Sequence, residues 1–344
     1  MNNYDFLKNE QKNQTLVLVE GEHEKKILLS ILLACFPEIP ILSDNIHVYE
    51  ADIYDLYHDI EVEYEEDWYE NDLIIDIPLL ISRRHNIEPQ LIKNNFTNII
   101  LIFDYEHHDI WFKNEKIERM QNHFNSMSDD GILFINYPMI EAYKHVLSIP
   151  DEDYIKRYVS VKCQPGREYK RLVEDTSAIS KYFNAYDNLL KYLSEKIEDV
   201  EREEIIKLLH NIFSIREKET LRESISSLLT AYKIEDRVRI NMEYSITNAL
   251  INLGYLDEKI NYLEKLRQIV IYIVTINIEK AAKVQKGVKE VTNGLQEKYL
   301  DIDWTRILNE QNVSSGNSET GIIWVLCTCV TFLADYKFFW RLCE

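Results

Sequence analysis

Acidic side chains follow three short apolar runs in the first 150 residues. These acids are Glu20 and Glu24, Asp104 and Glu106, and Glu141. Carboxylates that lie close together repel one another and cost stability unless a cation sits among them. Carboxylate oxygens are ligands that Mg²⁺ and Mn²⁺ prefer, and two such ions can stabilise both oxygens of a phosphodiester displacement. As a set, the acids predict a site for Mg²⁺ or Mn²⁺, with two ions expected. Each acid taken alone is more typical of a helix cap or a solvated surface charge.

The apolar runs that precede these acids have the pattern of β-strands. The four predicted strands are Thr15–Val19, Ile46–Tyr49, Asn98–Phe103 and Gly131–Ile135. Helical patterns separate them, among them Asn114–Met127 and a helix that Pro138 opens. Strands alternating with helices predict a parallel sheet covered on both faces, with its site at the carboxyl ends of the strands. An extended backbone after the third strand would turn Asp104 and Glu106 to one face. We therefore expect an α/β domain over residues 1–150.

After Pro150 the pattern becomes mostly helical. Apart from a further strand near Tyr158–Val161, apolar residues recur at helical spacing. We therefore expect a mostly α-helical domain over residues 151–344. The apolar run Gly321–Ala334 is too short to span a bilayer and predicts a buried helix or strand.

Charge is distributed unevenly along the chain. The 59 acidic and 39 basic residues give a net charge of −20, which opposes nonspecific binding to nucleic acid. The segment 156–171 is the exception, with six bases against one acid. Its bases are Lys156, Arg157, Lys162, Arg167, Lys170 and Arg171. Two interpretations are equally favoured: a local nucleic-acid contact, or simple balancing of neighbouring acids.

Two histidines and an aspartate directly follow the acids of the third strand. His107, His108 and Asp109 could position a substrate or stand behind the metal ligands, although Mg²⁺ prefers oxygen over imidazole. A polar loop contact is the slightly favoured interpretation for the histidines.

The motifs after the first and third predicted strands resemble those of the TOPRIM domain. This domain occurs in topoisomerases, primases and the overcoming-lysogenization-defect (OLD) family of nucleases. It carries a glutamate, often followed by glycine, after the first strand and Asp-x-Asp after the third. Val19-Glu20-Gly21 matches the first motif, and Asp104-Tyr105-Glu106 matches the second, with Glu in place of its last Asp. The Glu-x-x-x-Glu spacing of Glu20 and Glu24 is more similar to OLD-type nucleases than to topoisomerases.

The resemblance covers roughly residues 1–150 and implies a role for each acid. Glu20, Glu24 and Asp104 would hold one metal ion, while Glu106 and Glu141 would help to hold the second. OLD-type nucleases also place a downstream lysine near the scissile phosphate, and Lys162 is the candidate for it. The implied catalytic residues are Glu20, Asp104, Glu106 and Lys162.

The implied function is a metal-dependent endonuclease that acts on DNA or on RNA such as tRNA. No GxxxxGK[ST] motif occurs in the sequence, so the ATPase that OLD proteins fuse to their TOPRIM domain would be a separate partner. This arrangement resembles stand-alone TOPRIM effectors of bacterial anti-phage systems, which act in abortive infection. The helical domain is then the expected place for partner binding or for self-association into a homo-oligomer.

Two other functions stay open. One is RNA processing, as in the small TOPRIM maturases. The other is a non-catalytic interaction protein whose acidic fold only binds a partner. The retained acids Glu20, Asp104 and Glu106 argue against the latter, since an abandoned site need not keep all three.

The sequence also predicts a compartment. Residues 1–12 are polar, with no apolar stretch of the signal-peptide kind, and the five cysteines show no CxxC spacing. We therefore expect a cytoplasmic, reduced protein that does not enter a membrane.

Overall fold

A five-stranded sheet lies at the centre of the first half of the chain. The computed structural model describes residues 14–22, 24–70, 73–127, 130–163, 166–287 and 293–343; residues 1–12, used above for the compartment, lie outside these ranges. The strands are β1 (Gln14–Val19), β2 (Ile46–Val48), β3 (Phe96–Asp104), β4 (Asn125–Ser126) and β5 (Gly131–Asn136). Their order is β2-β1-β3-β5-β4, and every neighbouring pair is parallel except β4 with β5. The α/β class and the four predicted strands are confirmed.

The central strands are buried along nearly their whole length, which explains their continuous apolar sequence. Leu16–Val19 and Ile100–Phe103 have almost no exposed surface. Val19 lies opposite Ile102, and Asp104 lies opposite Asn136. Because β1, β3 and β5 run in the same direction and in this register, their carboxyl ends form one edge.

Helices connect these strands. They are α1 (Ser30–Cys35, preceded by a π-helical stretch Glu24–Leu29), α2 (Ile53–Tyr64), α3 (Ile77–His85) and α4 (Asn114–His123). The predicted helix Asn114–Met127 is too long, because Phe124 leaves helical geometry and its carbonyl accepts a hydrogen bond from Leu133 N. The chain after it becomes the edge strand β4.

The prediction of a helix that begins at Pro138 is also wrong. The structure has a short 3₁₀ helix there, Ile140–Lys144. The Asp104 carboxylate accepts a hydrogen bond from Ile140 N at 2.8 Å, and Ala142 N donates to the Met139 carbonyl. The backbone is thus bound locally at the sheet edge, and it does not begin a regular helix.

The chain divides into two compact units. Unit 1 comprises 1–25, 38–177 and 273–344, and unit 2 comprises 26–37 and 178–272. The remaining elements are β6 (Tyr158–Ser160), α5 (Arg167–Thr176), α6 (Ser180–Lys196), α7 (Arg202–Phe213), α8 (Leu221–Leu229), α9 (Asp236–Leu253), α10 (Tyr262–Val284), α11 (Leu295–Leu300), α12 (Trp304–Ser315), β7 (Ile322–Trp324) and α13 (Lys337–Cys343). Unit 2 is helical.

The boundary predicted at residue 150 does not coincide with the boundaries of these units, because the carboxy-terminal apolar run packs in unit 1. β7 pairs with β6 in an antiparallel ribbon. Tyr137 and Leu326 exchange two backbone hydrogen bonds of 2.8 Å, and Thr328 Oγ1 donates to the Ile135 carbonyl. The run is buried as β7 and a 3₁₀ helix, Cys329–Asp335, as its apolar composition predicted. Within the described ranges, no helix is both long enough and apolar enough to cross a membrane.

A buried ion pair fixes the segment that leads from the sheet to α5. Arg157 binds Asp151 through two nitrogens, at 2.7 and 3.1 Å, and also donates to the His145 carbonyl. Their side chains are only 10% and 3% exposed. The buried Lys280 side chain donates from Nζ to the Tyr154 and Arg157 carbonyls. Arg157 therefore has a structural role. From the sequence it was one of six bases in segment 156–171 that were candidates for a contact with nucleic acid.

We expect Arg157→Ala to lower the free energy of unfolding by about 3–5 kcal/mol, because it removes the guanidinium that forms an ion pair with the buried Asp151 carboxylate. Urea denaturation measures this change. Lys156→Ala is the control, since Lys156 is exposed and its replacement should change stability by about 0.5 kcal/mol or less. Equal stability of the two variants would contradict a structural role for Arg157.

Candidate metal centre

Three carboxylates converge at the carboxyl edge of the sheet. Ligand oxygens of Glu20, Asp104 and Glu106 all lie within 4.8 Å of one another. Glu20 directly follows β1, and its carboxylate accepts a hydrogen bond of 2.9 Å from Asp104 N, on the neighbouring strand β3. The parallel pairing of β1 with β3 thus brings residues 84 positions apart into one cluster.

Glu106 reaches this cluster by a route that the sequence did not indicate. β3 ends at Asp104, and Glu106 has a φ of +33°, in the left-handed region. A turn after the strand, rather than an extended backbone, therefore aims its carboxylate at Asp104. A non-glycine residue in this conformation costs on the order of 1–3 kcal/mol and is enriched at functional sites.

Two more carboxylates lie beside the cluster. Glu24 is 5% exposed and accepts a hydrogen bond from Gly21 N at 3.0 Å. Glu141 is also 5% exposed; its Oε1 lies 3.2 Å from Lys170 Nζ, and its buried Oε2 has no hydrogen-bond partner among the described residues. Both acids interact electrostatically with Asp104, which also faces Glu20 and Glu106. The structure thus brings together all five acids from the sequence pattern.

The electrostatics of these acids favour a bound cation. Burial, followed by the charge of Glu20, raises the pKa of Asp104 well above its usual value. Burial and the charge of Glu106 likewise raise the pKa of Glu20. Burial raises the pKa of both Glu24 and Glu106 to about 7. Protons therefore compensate part of the repulsion near neutral pH, and a divalent cation could replace them.

The donor set fits Mg²⁺ or Mn²⁺, because Glu20, Asp104 and Glu106 all offer carboxylate oxygens to the same point. The unpartnered Glu141 Oε2 is the clearest sign of a missing partner, since a buried polar atom without a hydrogen bond costs free energy.

Asp52 is an acid of this neighbourhood that the sequence pattern missed. It follows β2 and caps α2, accepting hydrogen bonds from Tyr54 N and Asp55 N at 2.8 and 2.9 Å. Burial is the main cause of the raised pKa of Glu106, and the charge of Asp52 is the second largest. An aspartate just after a strand and before a helix was the available signal, but it also describes an ordinary N-cap.

The three residues after Glu106 have different surroundings. The His107 ring packs against Tyr105 and Phe112, with centroids 5.5 and 4.6 Å away, and its burial lowers its pKa. His108 Nδ1 lies 3.4 Å from Glu106 Oε2. The Asp109 charge also raises the pKa of Glu106. His108 and Asp109 therefore border the acids, whereas His107 belongs to an aromatic cluster.

One member of the basic segment reaches the acids, and it is Lys170. Its ammonium pairs with Glu141 and also interacts with Asp104 and Glu24. Although burial lowers the pKa of Lys170, these charges raise it above its usual value, so the ammonium stays protonated. Helix α5 fixes this position by burying Tyr169, whose hydroxyl lies 3.1 Å from His145 Nδ1, and Val173.

The other bases of the segment are placed differently. Lys162, the candidate from the resemblance, forms an exposed ion pair of 2.6 Å with Glu319. Arg171 is 84% exposed and lies 3.6 Å from Asp175. Lys156 and Arg167 are exposed at the surface. These four bases lie on the surface of unit 1, and Lys170 is the member that contacts the acid cluster.

Comparisons with known proteins return no relative: no family model, no curated protein and no solved structure matches the chain. The chemistry of the site therefore follows from its own residues.

We expect the contribution of the Glu24 and Glu106 carboxyls to the stability of the metal-free protein to fall as the pH rises from about 5 to about 8. The carboxyls of Glu24 and Glu106 have folded-state pKa values of about 7, against about 4.3 in an unfolded chain. The folded state therefore holds more protons, and their stabilising contribution is lost as the pH rises through the folded-state pKa. Thermal midpoints with EDTA measure this, and Mn²⁺ should raise the midpoint more at the higher pH.

Glu106→Gln is the matched control for this pH dependence. It removes one carboxyl of raised pKa and leaves the other acids of the cluster in place, so the fall with pH should become shallower. An unchanged slope, or a Mn²⁺ effect equal at both pH values, would contradict the carboxylate assignment.

Proposed function

We propose that this protein is a divalent-metal-dependent nuclease that hydrolyses phosphodiester bonds of DNA or RNA. The observation that carries the proposal is the convergence of Glu20, Asp104 and Glu106 within 4.8 Å at the ends of two neighbouring parallel strands. A buried and half-buried acid cluster at this edge of an open α/β sheet suits metal-assisted hydrolysis better than structural charge balance, since the Lys170 ammonium cannot by itself neutralise five acids.

Asp104 is the central ligand in this proposal. Glu20, Asp104 and Glu106 would hold one Mg²⁺ or Mn²⁺ ion, and Glu24 and Glu141 would hold a second beside Asp104. This grouping differs from the one that the resemblance implies, because Glu106 lies with Glu20, while Glu24 and Glu141 interact with each other. Bound ions would stabilise charge on the phosphate oxygens and lower the pKa of an attacking water.

Lys170 is the phosphate-binding residue in this proposal, in place of Lys162. Its side chain is 52% exposed, so it can meet a substrate while it remains next to Glu141. It supplies positive charge at the acid cluster, where a chain of net charge −20 must accept a phosphate. An ammonium that donates to a phosphate oxygen also orients the scissile bond over the acids.

The TOPRIM assignment belongs to the same proposal. It is supported by Glu20 directly after β1, by Asp104-Tyr105-Glu106 at the end of β3, and by the parallel pairing of these two strands. A role in anti-phage defence, a separate ATPase partner and self-association stay predictions.

We expect Asp104→Asn and Glu20→Gln to reduce Mg²⁺- or Mn²⁺-dependent cleavage by at least about 100-fold, because each removes a charged ligand. Plasmid, single-stranded DNA and total tRNA are the substrates to test. In Asp104→Asn, the amide oxygen of the new side chain can still accept the hydrogen bond from Ile140 N, so circular dichroism should show an intact fold. Full cleavage by both folded variants would end the nuclease proposal.

We expect Lys170→Gln to lower kcat/KM for cleavage by about tenfold or more, because a hydrogen bond to a charged group is lost. Lys162→Gln is the matched control and should keep nearly full activity, since Lys162 pairs with Glu319 at the surface. If Lys162→Gln lowered kcat/KM and Lys170→Gln did not, Lys162 and not Lys170 would be the phosphate-binding residue.

A further inference from the structure

An exposed apolar tip lies in the loop that carries Glu106. Ile110 is 87% exposed, and Trp111 is 62% exposed. Two adjacent large apolar side chains with this much exposure, a few residues after Glu106, suggest a contact that the isolated chain does not make. Nothing in the proposed metal chemistry uses them.

The tip is held in place at its base. Phe112 packs edge-on against Tyr54 and Tyr105, with ring centroids 6.1 and 5.7 Å away. The Tyr105 hydroxyl donates to Asn312 Oδ1 at 2.6 Å, on α12. The packing of Phe112 and Tyr105 therefore anchors the backbone next to Trp111.

Asp109 connects the tip to the metal centre. Its carboxylate accepts a hydrogen bond from Trp111 N at 2.6 Å, and its backbone N donates to the Glu106 carbonyl at 3.0 Å. The Asp109 charge is also close enough to Glu106 to perturb that carboxyl. Two hydrogen bonds through Asp109 thus connect the backbone of Trp111 to that of Glu106, a proposed metal ligand.

We infer that Trp111, with Ile110 beside it, is a stacking platform for an unpaired base of the nucleic-acid substrate. This inference rests on the proposed nuclease function and extends it to substrate choice. An indole ring accepts any base on its face, and such stacking is strong enough to matter for binding. Bases inside a duplex are already stacked on their neighbours, so the platform favours single strands, loops or ends.

The charge around the tip argues against a membrane contact. Asp109, Glu106 and Asp52 surround the base of the loop, and their carboxylates would repel anionic lipid head groups. The phosphates of a nucleic-acid strand meet the same repulsion, so under the proposed function they would depend on Lys170 and on bound cations at the acids. A base stacked on Trp111 adds binding free energy that this charge does not oppose.

The first test is steady-state cleavage of a single-stranded DNA, its duplex form, and an RNA hairpin that presents the same sequence in its loop. We expect Trp111→Leu to raise KM for the unpaired substrates by about tenfold or more, with kcat little changed. Trp111→Phe keeps an aromatic ring and should recover most of this loss. The KM for the duplex should change little. Comparison of the single-stranded DNA with the RNA hairpin shows whether the unpaired base belongs to DNA or to RNA.

Tyr244→Leu is the control for exposed aromatic residues. Tyr244 is 50% exposed in unit 2, and the Arg222 guanidinium already covers its ring, so the change should leave KM as it is. If wild type cleaves and Trp111→Leu has unchanged KM, the stacking inference is wrong while the nuclease proposal stands. Equal losses for Leu and Phe, or a change in oligomeric state measured by sedimentation, would assign the tip to another contact.

A second measurement does not depend on cleavage. The chain has five tryptophans, so the difference between wild type and Trp111→Phe isolates the fluorescence of Trp111. Adding single-stranded DNA or the RNA hairpin with Ca²⁺ should quench this difference signal, and a strand of abasic nucleotides should not. Absence of a Trp111-dependent quench would overturn the inference whether or not the protein proves to be a nuclease.

Discussion

Mutual repulsion among buried and half-buried carboxylates is the constraint that the candidate site must meet. Glu20, Asp104 and Glu106 come within 4.8 Å of one another, with Glu24 and Glu141 beside them. A protein without a use for this arrangement would gain stability by separating the charges. Here the strands place them together, and retained protons, backbone donors such as Asp104 N and the ammonium of Lys170 hold the repulsion in check.

Elements far apart in the sequence keep the site rigid. The carboxy-terminal run pairs with Tyr137 and covers the end of β5. Arg157, Asp151 and Lys280 fix the chain between Glu141 and α5. Burial of Tyr169 and Val173 then turns Lys170 toward Glu141. The proposed metal ligands would need packed neighbours to hold them, and this unit supplies such neighbours from distant parts of the chain.

The candidate site and the loop beside it form two regions of different chemical character. The acids and Lys170 form a polar centre suited to metal ions and phosphate. The loop beyond Glu106 instead presents Ile110 and Trp111 on an aromatic base. A nucleotide carries both kinds of surface, a charged phosphate and an apolar base face. The two regions therefore suit one substrate class better than either does alone.

The strands and the acids that follow them could be predicted from the sequence, because a strand buried on both faces is a continuous apolar run and its last residue is read directly. Several features could not be predicted. Glu106 reaches Asp104 through a left-handed turn, and Asp52 looks like an ordinary helix cap. The contact of Lys170 with the acids depends on which face of α5 is buried, whereas Lys162 lies before that helix. Membership of residues 273–344 in the first unit depends on pairing between β6 and β7, which lie in different parts of the sequence. Local patterns record what each segment prefers, whereas contacts between distant segments exist only after the chain has packed.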